Sequence, residues 1–338
     1  MAAKRPETAE RIGIHIKMRE KLLHIFLVFF ATALPVWSQV NSFSDQYLSN
    51  LFLLNPAIAG TAQYSTLTVN SRQQWIGWDG APASQSVTFH SRLARSKDRF
   101  TPLGFINKGK NTYSKVGFGG GFFHDSYGVF NLTGIHLDYS YQLMVGKGRL
   151  SLGLAPSVFQ VGTTSVVLAD PSDPYLNNPN KSYFVDFNAG VHYFSKNGYM
   201  GLSLVQLFNS SVKFGSYGYP GDEDPSLNPQ LARSAYAYGG YFFMLNRDMN
   251  LKVEPMGLVK YNSRTGLLFD VSTTVHLRDM FSAGASYRLK QGLSVFLGVR
   301  LDNLALRYQF EIPVSTEVGN RYSSHTIQIS LNIGQPID

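Results

Sequence analysis

From about residue 61 to the C-terminus, apolar and polar residues alternate in segments of roughly ten, each ended by Gly, Asn, Asp or Pro, as membrane-spanning strands require. In residues 135–145, Ile135, Leu137, Tyr139, Tyr141, Leu143 and Val145 fall on one face of a strand, and His136, Asp138, Ser140 and Gln142 on the other. Tyr183, Val185, Phe187, Ala189, Val191 and Tyr193 repeat this, opposing Asp186, Asn188 and His192, with tyrosines at both ends where a membrane interface favours amphipathic rings. Leu293 to Leu301 and Leu304 to Ile312 carry two further apolar stripes, with Asp302 and Asn303 as the turn between them.

Strands are predicted at 62–73, 83–94, 115–126, 129–145, 149–161, 183–194, 199–208, 231–245, 249–261, 265–277, 280–290, 293–301, 304–313 and 323–333. The fold class is therefore all-β: a transmembrane antiparallel up-and-down β-barrel of about 14 strands, an even number that returns both ends to the periplasm. Short turns at 146–148, 195–198, 246–248, 278–279 and 302–303 then fall on the periplasmic side, and the long segments 162–182 and 209–230 on the outside. The 95–114 segment breaks this rule, being long and periplasmic. A soluble β-sandwich or secreted β-rich adhesin would also alternate. Against it stand the length of the strands and outward stripes that carry paired aromatics rather than charges.

The N-terminus adds an export signal. Leu22 to Leu34 is apolar but short for a spanning helix, and follows Lys17, Arg19 and Lys21, with Val36 and Ser38 at the −3 and −1 positions of a cleavage site. Three regions follow: a cleaved signal peptide over 1–38, whose true start is near Met18; an N-terminal periplasmic or plug-like segment over 39–60; and an outer-membrane barrel over 61–338. Only 15% of residues are charged and 14% are aromatic, few charges for a soluble domain. The net charge of +8 is partly the leader's, and the remaining Lys and Arg are scattered, which gives no stripe for nucleic acid. The absence of cysteine excludes disulfides, thiolate metal sites, cysteine nucleophiles and a lipoprotein anchor.

Candidate chemistry is sparse. Gly104 to Lys110 imitates a phosphate-binding loop, but Asn111 replaces the Ser or Thr that would hold magnesium and a strand follows instead of a helix. The clusters Asp170 to Asp173 and Asp222 to Asp224 read as solvated loop charge rather than calcium sites. His90, His124, His136, His192, His276 and His325 form no close ligand pair, and several fall on the lumen face. No G-x-S-x-G turn is present. We therefore expect no catalytic, metal or cofactor-binding residue, no cofactor, and no enzyme activity.

Two stretches are more specific. Asn55-Pro56-Ala57-Ile58-Ala59-Gly60 precedes the first strand, and Arg72-Gln73-Gln74-Trp75-Ile76-Gly77-Trp78-Asp79-Gly80-Ala81-Pro82 spans the first hairpin, with two of the three tryptophans. The N-P-A-x-A-G and R-x-Q-W-x-G…G-A-P patterns resemble the PorP/SprF membrane proteins of the type IX secretion system. That resemblance implies an outer-membrane barrel that assists export or surface attachment of a large adhesin, including adhesins used in gliding. The implied partners are outer-membrane lipid, the secreted adhesin's C-terminal domain, and periplasmic secretion-system or peptidoglycan-associated proteins. It marks Asn55, Pro56, Gly60, Arg72, Gln74, Trp75, Gly77, Trp78, Gly80 and Pro82 as partner-binding candidates, which could equally serve barrel closure. A channel or hydrophobic-solute transporter is the alternative, since 14 strands enclose a lumen wide enough for solute or a plug. The chain ends Asn332 to Asp338 without a terminal aromatic, leaving Ile327, Ile329, Leu331 and Ile333 as the candidate assembly signal.

Overall fold

A computed structural model describes residues 47–48, 50–93, 115–128, 130–163, 181–208, 233–263, 266–289, 291–314 and 322–334. The expected leader, the phosphate-loop imitation and both acidic clusters lie outside the described residues.

The strands are β1 (Ser65–Gln73), β2 (Ala83–Arg92), β3 (Val116–Tyr127), β4 (Phe130–Val145), β5 (Gly148–Thr163), β6 (Ser182–Phe194) and β7 (Gly198–Val205). Next comes β8, in two segments, Ser234–Tyr241 and Phe243–Asn246. The last six are β9 (Leu251–Asn262), β10 (Gly266–Leu277), β11 (Phe281–Arg288), β12 (Gly292–Leu301), β13 (Leu304–Pro313) and β14 (Ser324–Ile333). Each pairs antiparallel with its sequence neighbours. β14 pairs back onto β1, from Ser65 opposite Ile333 to Gln73 opposite His325, and closes the barrel. Closure leaves no edge, which hydrocarbon could not satisfy. The fourteen-strand antiparallel barrel expected from the alternation is the observed fold.

Period-two patterning sets the faces. On β2, Ser84, Ser86, Thr88 and His90 are buried inside while Val87 faces out. On β4, His136, Asp138, Ser140 and Gln142 are buried and Ile135, Leu137, Tyr139 and Tyr141 are exposed. Ile327, Ile329, Leu331 and Ile333 of β14 are likewise exposed. An apolar exterior around a polar interior is the arrangement a bilayer demands of a barrel.

Strand limits differ from expectation where side chains capture backbone. β1 begins at Ser65 rather than 62, because Arg92 donates to the carbonyls of Gly60, Thr61 and Ala62 and holds them out of the sheet. β7 stops at Val205 rather than 208: Gln206 takes φ +61°, and the Asn188 and Asp186 side-chain oxygens accept the amides of Gln206 and Phe208, each at 3.0 Å. β8 is interrupted at Phe242, whose amide turns to the carbonyl of Asn197 at 2.8 Å.

Four charged side chains meet inside the barrel. Arg72 of β1 lies 3.2 Å from Glu311 of β13. Arg288 of β11 lies 3.7 Å from the same carboxylate and 3.0 Å from Asp270 of β10. All four side chains are buried, so their pairing is what makes ionisation tolerable there.

Candidate functional site

Chain that precedes β1 also lies in the lumen. Asparagines shape it. Asn50 caps a 3-10 turn at Leu51–Leu53, its side-chain oxygen accepting the Phe52 amide, and its nitrogen donates to Thr88 Oγ1 at 2.8 Å. Asn55 caps a second turn, Pro56–Ile58, accepting the Ala57 amide at 2.9 Å. Pro56 sits at the first position of that turn, where its missing N–H costs nothing.

Tyr47, Leu48 and Leu54 pack against Tyr236, Tyr238, Met256, Leu258 and Phe296, which turn inward from β8, β9 and β12. On the opposite side Phe52 meets the rings of His90 and His136, centroids 4.9 and 5.8 Å away. Asp138 fixes the His136 ring through Nδ1 at 2.6 Å.

Asn55 is the central pin. Its nitrogen lies 3.0 Å from the Val191 carbonyl, 3.3 Å from that of Leu202 and 3.0 Å from the Tyr238 hydroxyl, which also contacts His192 Nδ1 at 3.0 Å. Ala59 O accepts from Ser140 Oγ at 2.7 Å, and Gly60 O from Arg92 Nε and Gln142 Nε2, each at 2.9 Å.

The backbone of this segment touches the wall itself. A Cβ on Gly153 would collide with Ala57 N, and one on Gly190 with Asn55 Oδ1. Gly60 takes φ +65° and lies so close to Gly117 and the Ser91 carbonyl that no side chain fits. Each named letter of N-P-A-x-A-G thus has a structural use: cap and pin, turn start, two alanines of 0% exposure, and a left-handed exit. Only the variable position, Ile58, is half-buried.

The hairpin motif divides in two. Arg72, Gln74 and Pro82 are buried, Arg72 in the ionic network, and the Gln74 amide donates to Pro82 O at 2.9 Å. Ile76 to Gly80 are exposed at the rim. There Trp75 takes φ +46°, Gly77 +99° and Gly80 +72°. The connection is fastened to the start of β14 by Trp75 N to Ser324 Oγ at 3.3 Å and Ile76 N to Ser323 O at 2.9 Å. Trp78, 48% exposed, stands edge-on to Tyr322 at 5.3 Å. The ten residues singled out in sequence are therefore not one surface: Asn55, Pro56 and Gly60 serve the lumen segment, Arg72, Gln74 and Pro82 the inner wall, and Trp75, Gly77, Trp78 and Gly80 the rim.

Sequence reasoning missed the wall side of this arrangement. Tyr236, Tyr238, Met256, Leu258 and Phe296 occupy lumen-facing positions that alternation reserves for polar residues. The signal was available in Ser234–Tyr241, where large side chains alternate with Ala235, Ala237 and Gly239 rather than with polar ones. Among the described residues, no group of three or more His, Asp or Glu side chains could hold a metal ion.

Among curated proteins, none matches the chain. Several solved structures resemble it. The outer membrane protein Omp33 of Acinetobacter baumannii is 9% identical over 81% of this chain and 100% of its own, with a TM-score of 0.41. The toluene transporter TodX of P. putida is 9% identical over 86% and 95%, at 0.43. A Pseudomonas aeruginosa FadL homologue is 12% identical over 82% and 91%, at 0.42. The family model for the type IX secretion system membrane protein PorP/SprF matches residues 38–333, nearly the whole chain. This outer-membrane barrel, with its pinned N-P-A-x-A-G segment, belongs to the PorP/SprF family.

Proposed function

We propose that this barrel assists the export or surface attachment of a large adhesin through the type IX system by presenting surfaces to it, not by passing it through its own lumen. The observation that carries this reading is chain and paired charge inside the barrel. The chain at residues 47–48 and 50–60 crosses from Arg307 on β13, which donates to Leu48 O, to Ser140 on β4, and the Arg72–Glu311–Arg288–Asp270 network also lies inside. A folded or extended passenger would have to displace both. The surfaces left for partners are the two ends: the rim at Ile76–Gly80 for the adhesin's C-terminal domain, and the opposite turns for periplasmic secretion or peptidoglycan-associated proteins. No bond-making chemistry is required, and the proposal includes that the protein is not an enzyme.

Deletion followed by surface proteomics tests the reading. One large surface protein should disappear from the cell exterior; an unchanged surface would defeat it. The channel or hydrophobic-solute transporter alternative has the polar inner face in its favour, including Asp138, Asp186 and His192. Planar-bilayer recording separates the two, because a steady solute-selective conductance from the intact protein supports transport and a silent barrel supports presentation.

A further inference from the structure

The outer wall from β4 to β9 carries a hollow of about 770 Å³, inside the roughly 300–1,000 Å³ typical of ligand sites. Its cause lies largely on β8. There the bulky Tyr236 and Tyr238 turn inward to the lumen segment, and Ala235 and Ala237 are left on the outer face. Ala189 of β6 lines the same hollow, whose sides are built by Leu154 and Tyr139 in one direction and Tyr261 in the other.

The inner surface behind it is bare. Gly153 and Gly190 carry no side chain to hold the wall away from Ala57 and Asn55, and Asn55 grips the carbonyls of Val191 and Leu202. A single layer of backbone therefore separates the outer hollow from the lumen segment. The same exchange of large for small on β8 seats that segment and opens the hollow.

This face lies in the outer membrane, and a void there would forfeit dispersion contacts on one side. The hollow is continuous with the lipid-facing surface, so hydrocarbon is what reaches it. No charged side chain lines it, so nothing is present to recognise the phosphates of a headgroup or of lipid A. We propose that the hollow is a specific seat for one acyl chain of a glycerophospholipid, with its shape set from the other side of the wall by Asn55. The proposal rests on the membrane placement and not on the secretion reading, so the two fail separately.

The test uses the full chain reconstituted in phosphatidylethanolamine vesicles containing a small fraction of the same lipid with a photoactivatable diazirine at mid-chain. After illumination, peptides carrying Leu202 and Ala237 should be labelled several-fold more than those carrying Val295 and Leu297, apolar residues exposed on β12. Filling the hollow with Ala189→Leu and Ala237→Leu should bring labelling down to the β12 level. Asn55→Ala should lower it as well. Even labelling around the wild-type barrel overturns the proposal, and labelling unchanged by Asn55→Ala overturns the link through the wall. If the filled variant fails to fold, the wild-type map decides by itself.

Discussion

The side-chain nitrogen of Asn55 lies 3.0 Å from the hydroxyl oxygen of Tyr238, although 183 positions separate them in sequence. The contact joins the segment before the first strand to the inward face of β8 in a site without water access, since Asn55 is 0% and Tyr238 5% exposed. Asn55→Ala removes a turn cap and the side-chain hydrogen bonds to Val191 O, Leu202 O and the Tyr238 hydroxyl, together costing roughly 1–3 kcal/mol. The expected result is a barrel that remains closed, since its ladder is untouched, with the lumen segment released more often. The chain has no cysteine, so Leu54→Cys supplies a single buried thiol as reporter. Its maleimide labelling should accelerate about tenfold for each 1.4 kcal/mol lost. Tyr238→Phe should give a smaller acceleration because only one of the three partners is removed.

Gly153 and Gly257 make a matched pair. A Cβ on Gly153 meets the backbone of Pro56 and Ala57, which cannot yield as a flexible side chain would, whereas one on Gly257 meets nothing within 4 Å. Gly153→Ala should therefore push the lumen segment from its seat, raise labelling at Leu54→Cys, and produce intermittent conductance in planar bilayers. Gly257→Ala should change neither. Equal behaviour of the two variants would contradict the close packing of segment on wall.

The barrel was legible in sequence because its causes are local: alternation on strands such as β4 and β12 reports which face meets lipid, and each turn is set by a few neighbouring residues. The lumen segment was legible only as a motif. Nothing in Asn55 to Gly60 names its partners, since Val191, Leu202 and Tyr238 are more than 130 residues away. On β8 the usual rule inverts: reading Tyr236 and Tyr238 as lipid-facing aromatics would be natural, yet an apolar occupant of the lumen draws them inward. Arg72 looked like a contact residue for the same reason, because its countercharge Glu311 is 239 positions distant.

That ion pair gives a prediction about stability. Glu311 faces two guanidiniums, at 3.2 Å from Arg72 and 3.7 Å from Arg288. Removing one member of a buried pair costs about 3–5 kcal/mol when the partner is left uncompensated, and replacing both can be neutral. Arg288 still compensates Glu311 in Arg72→Met, so the single variant should fall at or below the low end of that range. Arg72→Met with Glu311→Gln also takes the Glu311 charge away from Arg288 and should not recover fully. Urea midpoints of the heat-modifiable folded band, taken as a double-mutant cycle, read the coupling. Additive effects would mean that the network contributes packing rather than charge pairing.

Trp78 separates partner contact from architecture. It is exposed at the rim, and its described ring contact is with Tyr322 at 5.3 Å, edge-on, an arrangement worth about 0.5–1.5 kcal/mol. About half of the residue's surface is open, and Trp is among the residue types that carry interface energy once a partner covers them. The hairpin's path does not depend on the indole: Trp75 N, Ile76 N and Gly80 O hold it through hydrogen bonds to Ser324 Oγ, Ser323 O and Gly128 N. Trp78→Ala should therefore leave the folded band and its urea midpoint within about 1 kcal/mol of wild type, and yet reduce the amount of adhesin at the cell surface several-fold. Tyr322→Ala, which removes the edge-on ring partner and leaves the indole in place, should have the weaker effect of the two. Loss of surface adhesin in Trp78→Ala accompanied by loss of folded barrel would assign the tryptophan to architecture. Normal surface adhesin with a normal barrel would remove the rim from the proposed docking surface and leave the opposite turns as the place where partners act.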